Sequence, residues 1–150
     1  MRSSRSSNAA FSLIELTIVL ALVSVLLTGS IVAAGTVRTR FQLWLAASQV
    51  LQDLAATRTD AISRAVDHRL LFTPGIGSYQ RQRLDEGGFT PIGDATPLPA
   101  GVIVRSCTAP QGAVQFRPRG NAASFGTIVL ESGADSRKVI VNITGHARLG

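Results

Sequence analysis

The sequence predicts an α+β protein in which one long N-terminal helix precedes an antiparallel β-sheet or small β-sandwich. Three observations support this prediction. An apolar block occupies residues 11–35, and a helical repeat of apolar residues continues from there to about residue 67. The chain after Arg69 instead breaks into short β-forming runs bounded by turn residues. We therefore expect the second half of the helix to pack against the sheet.

The apolar block carries one formal charge, at Glu15. A helix of its 25 residues is about 37 Å long, which exceeds the roughly 30 Å hydrocarbon core of a bilayer. Arg2 and Arg5 precede the block without an acidic residue to offset them. Because positive charge favours the cytoplasmic side, the sequence predicts a single-pass protein with a cytoplasmic N-terminus and an extracytoplasmic C-terminal domain.

A cleaved secretory signal is the alternative for this block, since Ala33, Ala34 and Gly35 have the small side chains of a cleavage site. Secretory signals have a shorter apolar region, however, and Glu15 lies near its beginning here. A carboxylate costs about 2.5 to 3.5 kcal/mol at the bilayer centre and less at the interface, where it reaches water. Glu15 is therefore a candidate functional residue, with a carboxylate that merely reaches the interface as the alternative.

The segment 36–68 predicts an amphipathic continuation of the helix. Its apolar residues recur at steps of three and four, and no proline interrupts the chain before Pro74. The predicted apolar stripe consists of Ala47, Val50, Leu51, Leu54, Ala55, Ala61, Ile62 and Ala65.

The segment 69–150 predicts a β-rich globular domain. Its six β-type runs are 70–72, 79–81, 102–104, 114–116, 127–130 and 139–143. The span 74–101 contains four prolines and six glycines, so we expect a loop-rich crossover with at most one hairpin.

The sequence lacks the residue spacings of a catalytic or metal site. His68 and His146 are far apart, and no serine lies in a nucleophile elbow. The single cysteine, Cys107, allows no intrachain disulfide and is typical of a small buried residue. We expect no enzymatic activity, no cofactor and no bound metal.

The net charge of +6 indicates either an anionic partner or ordinary solubility. From Val37 onward, thirteen basic residues stand against eight acidic ones. Charge alone does not choose between these two interpretations.

The residues Ala10-Phe11-Ser12-Leu13-Ile14-Glu15 resemble the leader junction of type IV prepilins and type II secretion pseudopilins. The resemblance implies that residues 1–10 are a leader, that a prepilin peptidase cuts between Ala10 and Phe11, and that the new amine of Phe11 is methylated. It also implies that Glu15 neutralises the N-terminal amine of a neighbouring subunit, because two charges in an apolar setting are tolerated when they are paired. The family usually has glycine where this chain has Ala10, so we expect cleavage at this junction to be slower than in the family.

The rest of the chain resembles the GspH/FimT subgroup of this family. The residues that carry the resemblance are Ala56, Arg58, Ala61, Ile62 and Arg64, then Val114, Gln115, Phe116, Pro118 and Gly120, the run 126–130, Arg137, Lys138, Val139 and Val141, and the run 145–148. The resemblance implies a pilin fold and a minor subunit, in the initiating or tip complex of a type IV pilus or a type II secretion pseudopilus. Its partners would be other pilins or pseudopilins and the bacterial inner membrane, with the C-terminal domain periplasmic or extracytoplasmic.

DNA uptake for natural transformation is the alternative function. Some FimT-type minor pilins bind DNA through a C-terminal Gly-Arg-x-Arg motif, and Gly145-His146-Ala147-Arg148 matches it at Arg148 with His146 in place of the first arginine. The remaining candidate DNA-binding residues, which would contact phosphates without reading base sequence, are Arg117, Arg119, Arg137 and Lys138. The competing interpretation is that these side chains only solvate a strand edge. A third hypothesis for the function is a simple single-pass anchored or secreted β domain without a filament role.

Overall fold

The computed structural model describes the backbone of residues 13–150 and the side chains of residues 13–25 and 37–150. Helix α1 spans Leu13–Arg64 and ten strands follow it. The strands are β1 His68–Phe72, β2 Ser78–Asp85, β3 Gly88–Pro91, β4 Thr96–Pro97, β5 Ile103–Cys107, β6 Ala113–Phe116, β7 Ala122–Ser124, β8 Gly126–Ser132, β9 Asp135–Val141 and β10 Ala147–Leu149. The predicted α+β class with a long N-terminal helix is confirmed.

The chain divides into two compact units, of which the first ends at Val37 and the second is Arg38–Gly150. In the first unit every described side chain from residue 13 to residue 25 is exposed, with Leu13 at 81%. Within the part of the chain that the structure describes, no helical stretch is long and apolar enough to count as a membrane span.

In the second unit, one face of α1 is buried at steps of three and four residues. The buried side chains are Leu43, Ala46, Ala47, Val50, Leu54, Thr57 and Ala61. The predicted stripe is therefore confirmed in four of its eight positions, Ala47, Val50, Leu54 and Ala61. Leu51 is half-buried, and the other three, Ala55, Ile62 and Ala65, are exposed.

The strands form two antiparallel sheets. Sheet A has the order β3-β2-β1-β6-β7, with β4 also paired to β2, and sheet B has the order β10-β9-β8-β5. Strand β1 is central in sheet A, since Leu70 is paired with Arg81 of β2 and with Val114 of β6. One apolar core joins the inner face of α1 to both sheets, and its largest fully buried side chains are Phe72 and Phe116.

All six predicted β-type runs lie within or overlap strands. The span 74–101 contains the β2–β3 hairpin, as expected, but β4 also returns to pair with β2. The short strands β7 and β10 were not predicted. Both consist mainly of small or polar residues, so they lack the β-branched pattern from which strands are inferred.

Candidate functional site

Glu15 lies in the first turn of α1 on an otherwise apolar stretch of helix. Its exposed neighbours include Leu13, Ile14, Leu16 and Ile18, so apolar side chains surround the helix axis on all sides. Among the described residues, no basic side chain forms an ion pair with the Glu15 carboxylate. A helix that is apolar all round is normally buried in a larger assembly or a membrane. The predicted cleavage junction at Ala10 and Phe11 lies outside the described residues.

A second site, which we call the glycine junction, is formed by Arg58, Gly120 and Gly145. Arg58 of α1 donates a hydrogen bond from Nε to the carbonyl oxygen of Gly120, at 2.7 Å. Gly145 packs so closely on Gly120 that a Cβ at Gly145 would overlap the same carbonyl oxygen. Both glycines are buried and have left-handed backbone conformations, with φ of +82° at Gly120 and +81° at Gly145.

The glycine junction brings together three of the segments on which the sequence resemblance rests. Gly120 closes the turn between β6 and β7, where its N–H donates to the carbonyl of Arg117 at 2.8 Å. Gly145 closes the turn between β9 and β10, where its N–H donates to the carbonyl of Asn142 at 3.0 Å. The helix is thus attached to one turn from each sheet. Sequence reasoning identified these residues but did not predict that they touch.

A groove of about 340 Å³ lies beside the glycine junction, between α1 and the start of β10. It is lined by Leu51, Ala55, Arg58, Thr59, Ile62, Gly145, His146 and Ala147. Ile62 is an apolar side chain that remains 50% exposed there. Three residues of the predicted apolar stripe, Leu51, Ala55 and Ile62, therefore line an open groove, whereas Ala47, Val50, Leu54 and Ala61 are buried.

Three of the predicted anion-binding residues lie near the glycine junction. Arg117 and Arg119 belong to the β6–β7 turn, and His146 is exposed in the β9–β10 turn. The two turns are adjacent, because the N–H of Ala122 donates to the carbonyl of Ile143 at 3.0 Å.

The other three predicted residues are divided between two faces of sheet B. Arg148 is paired with Ile140, whereas the flanking Leu149 is paired with the buried Val139. Because side chains alternate along a strand, Arg148 lies on the outer face together with Lys138. Arg137 alternates the other way and lines a different groove, beside Arg40 and Asp135. The six candidates therefore do not form one continuous face.

The candidate basic residues share a lack of carboxylate partners. Among the described residues, ion pairs are made by Arg40, Arg81, Arg83 and Arg105, but by none of Arg117, Arg119, Arg137, Lys138, His146 and Arg148. Five of these six side chains are exposed, and Arg137 is half-buried.

A polar network that sequence reasoning missed connects α1 to sheet A. Tyr79 donates a hydrogen bond to Asp53 at 2.6 Å, and Arg81 forms ion pairs with Asp53 at 3.4 Å and with Asp60 at 3.3 Å. Burial, and then the hydrogen bond to Asp53, raise the pKa of Tyr79 above its ordinary value. The sequence signal for this network was the spacing of Asp53 and Asp60. Seven residues are two helical turns, so the two carboxylates lie on the same side of α1.

The other two residues that were considered as reactive groups, His68 and Cys107, are packed within the fold. His68 begins β1 and is 1% exposed, with Nδ1 at 2.8 Å from the carbonyl oxygen of Val66. Cys107 is half-buried against the core, and burial raises the pKa of its thiol. In the described chain, no group of three or more histidine, cysteine, aspartate or glutamate side chains is arranged to hold a metal ion.

Comparison with known proteins gives two family matches and several structural ones. The Type II transport protein GspH family matches residues 46–145, and the Prokaryotic N-terminal methylation motif matches residues 5–35. The minor pseudopilin EpsH from the Type 2 Secretion System of Vibrio cholerae gives a TM-score of 0.60 at 16% identity, over 73% of this chain and 96% of that one. The type IV minor pilin FimU of Pseudomonas aeruginosa gives 0.58 at 15% identity, over 74% and 90% respectively.

No curated protein sequence matches at a significant level. The structural matches show that the fold of this chain is that of the minor pseudopilin and minor pilin domains, and the predicted pilin fold is confirmed. The family match covers 100 of the 150 residues and includes all three residues of the glycine junction. The chain belongs to the GspH family of type II transport proteins.

Proposed function

We propose that this protein is a minor structural subunit of a type IV pilus or of a type II secretion pseudopilus, with a place in the initiating or tip complex. The observation that carries the proposal is the exposed, predominantly apolar helix around Glu15, on which Thr17 and Ser24 are the other polar side chains among residues 13–25. Such a surface is stable only when a membrane or other subunits cover it. The globular unit, by contrast, has its own core.

In this proposal the same apolar helix serves two environments in turn. Before assembly it anchors the subunit in the bacterial inner membrane, with the globular unit on the extracytoplasmic side, as Arg2 and Arg5 favour. After assembly it packs among the helices of other subunits. Transfer between these environments exchanges one apolar surrounding for another, so it does not require the helix to cross water.

Glu15 supplies the specificity of this assembly. Cleavage between Ala10 and Phe11 by a prepilin peptidase would create an amine at Phe11, and its methylation keeps the positive charge. An unpaired carboxylate in an apolar filament core is costly, whereas one that meets the amine of a neighbouring subunit is neutralised. Axial register between subunits is then set by the one position at which both charges are paired.

The N-terminus of the mature protein tests the processing step. Mass spectrometry of the membrane-extracted protein should give a chain that begins at methylated Phe11. Cleavage after Ala34, or an intact Met1, would contradict the proposal and favour a secreted or simply anchored β domain.

DNA binding is the second candidate function, as part of DNA uptake for natural transformation. It is supported by the exposed basic residues near the glycine junction and on the outer face of sheet B, above all Arg119 and Arg148, which form no ion pair with a carboxylate in the described part of the chain. Phosphate contacts of this kind attract DNA without reading its bases, so the affinity depends on salt and not on sequence.

A mobility-shift titration at several salt concentrations tests this second function. Arg119→Ala and Arg148→Ala should each weaken binding and reduce the salt slope by about one. Arg105→Ala is the matched control, because it removes the same charge from a residue that is ion-paired with Glu131. Equal losses in all three variants, or no loss in any, would remove the assigned roles.

A further inference from the structure

Strand β10 has an open edge, and its outward hydrogen-bonding groups belong to two residues. The backbone carbonyl of His146 accepts a hydrogen bond from the N–H of Asn142, and the N–H of Gly150 donates one to the carbonyl of Lys138. The backbone groups at positions 146 and 150 therefore face β9. Because backbone groups alternate along a strand, the N–H and C=O of Ala147 and Leu149 point away from β9. No described strand pairs with that side of β10.

The open edge adjoins the groove beside the glycine junction, whose lining combines apolar side chains with the polar Arg58, Thr59 and His146. Ala147 lines the groove and is partly packed on the core, and Leu51, Ala55 and Ile62 form the opposite wall on α1. The occupant of this site must therefore satisfy two requirements. It must offer an extended backbone to the edge, and it must place apolar side chains in the groove.

The two faces of β10 differ in charge, which specifies the occupant further. A strand added beside β10 has alternate side chains on the groove face and on the outer face of sheet B. On the outer face its side chains would lie next to Arg148, with Lys138 nearby, and neither has a carboxylate partner among the described residues. Directly opposed charges of opposite sign stabilise a strand pair.

We propose that β10 and the groove receive an extended segment of another filament subunit, in which apolar residues alternate with acidic ones, by addition of a strand to sheet B. This inference rests on the proposed function for the identity of the partner. The backbone hydrogen bonds provide affinity, and the alternation of apolar and acidic side chains provides specificity.

Binding of a synthetic probe to the purified full-length chain in detergent tests the proposal. The probe is a short peptide in which valine alternates with glutamate. It should bind, and hydrogen exchange at the Ala147 and Leu149 amides should slow in the complex. A peptide that is N-methylated at the amides facing β10 should not bind, because it cannot donate hydrogen bonds to the strand edge. A peptide with lysine in place of glutamate should bind at least about tenfold more weakly.

Two variants with matched controls identify the site on the protein. Ala147→Pro removes an outward N–H that has no partner in the sheet, a position at which an edge strand tolerates proline, and should weaken binding about tenfold. Ala55→Glu fills the groove and should weaken binding to a similar extent. Ala56→Glu adds the same charge to a neighbouring exposed position outside the groove and should leave binding unchanged.

Three results would overturn the proposal. The first is no binding of the alternating peptide. The second is equal binding of its N-methylated form, which would mean that the groove takes side chains without strand addition. The third is self-association that Ala147→Pro abolishes, which would make a second copy of this chain the occupant. Because the assay needs neither cleavage nor a filament, its failure is distinguishable from failure of the proposed function.

Discussion

Arg58 and Gly120 lie 62 positions apart in the chain and are joined by a 2.7 Å hydrogen bond from the guanidinium Nε to the glycine carbonyl oxygen. The same guanidinium also lies against Gly145, with Nε 3.2 Å from the place that a Cβ would occupy. A single side chain of α1 therefore meets one turn from each sheet. This contact fixes the edge of the groove and the position of the basic turns around it.

Replacement of Gly145 by alanine should destabilise the globular unit by about 2 to 4 kcal/mol. The new Cβ would overlap the Gly120 carbonyl oxygen, and the left-handed backbone is unfavourable for alanine. Chemical denaturation of the purified protein measures the loss. Gly133→Ala is the control, because its φ of +59° is also left-handed but no atom lies within 4 Å of the added Cβ. It should cost only about 1 kcal/mol, and equal losses would show that the contact is unimportant.

Replacement of Arg58 by lysine should cost about 1 to 2 kcal/mol although the charge is kept. Lysine has no planar N–H at the Nε position, so the carbonyl of the buried Gly120 loses its donor. Arg64→Lys at the exposed end of α1 should change stability by less than about 0.5 kcal/mol. Chemical denaturation measures both variants. An unfolding midpoint for Arg58→Lys equal to that of Arg64→Lys would contradict this account of the glycine junction.

Alkaline pH should unfold the globular unit as Tyr79 ionises. Tyr79 is the only tyrosine, so the phenolate absorbance reports this residue alone. Its pKa is raised by burial and by the bond to Asp53. Because the folded-state pKa lies above that of the unfolded chain, the stabilisation is complete below about pH 10 and is lost as the pH rises further.

The measurement is an absorbance titration followed in parallel with circular dichroism. The phenolate should appear above pH 10 and together with unfolding, and Asp53→Asn should shift its appearance to lower pH. Burial is the larger cause of the raised pKa, so Asp53→Asn should not restore the ordinary value completely. Reversible ionisation near pH 10 in the folded protein would be evidence against the network.

Cys107 should react slowly with iodoacetamide in the folded protein. Burial raises the pKa of its thiol, so less thiolate is present at pH 8 than in the unfolded chain. We expect alkylation to be at least about tenfold slower than in denaturant. Since the chain has a single cysteine, mass spectrometry gives the rate without ambiguity. Equal rates in the two conditions would place Cys107 on the surface.

The sequence was informative where hydrophobic periodicity reports burial directly. The helical repeat predicted that Val50 and Leu54 face the core, and the β-branched run 127–130 predicted β8. Periodicity shows that residues share a side of a helix, but not how much of that side a sheet will cover. For this reason Ala55 and Ile62 were included in the predicted apolar stripe, although they line the open groove.

Contacts between distant segments were beyond the sequence. The residues 145–148 were considered as a partial DNA-binding motif, with side chains that only solvate a strand edge as the competing interpretation. The structure divides them into a closing turn with Gly145 and an edge strand with Arg148. Arg137 and Lys138 lie on opposite faces because side chains alternate along β9, a strand that begins at Asp135 and therefore earlier than the predicted run 139–143. The structure thus places the candidate basic residues on more than one surface. Their role in DNA binding and the role of Glu15 in assembly stay predictions.

Assembly of a Glu15→Leu variant tests the central claim most directly. The amount of subunit in the sheared filament or pseudopilus fraction, relative to the membrane fraction, is measured for this variant and for Thr17→Val, a control that keeps the charge at position 15. We predict that Glu15→Leu is processed and accumulates in the membrane, but falls at least about tenfold in the filament fraction because the neighbouring amine loses its partner. Incorporation of Glu15→Leu equal to that of Thr17→Val would contradict the account.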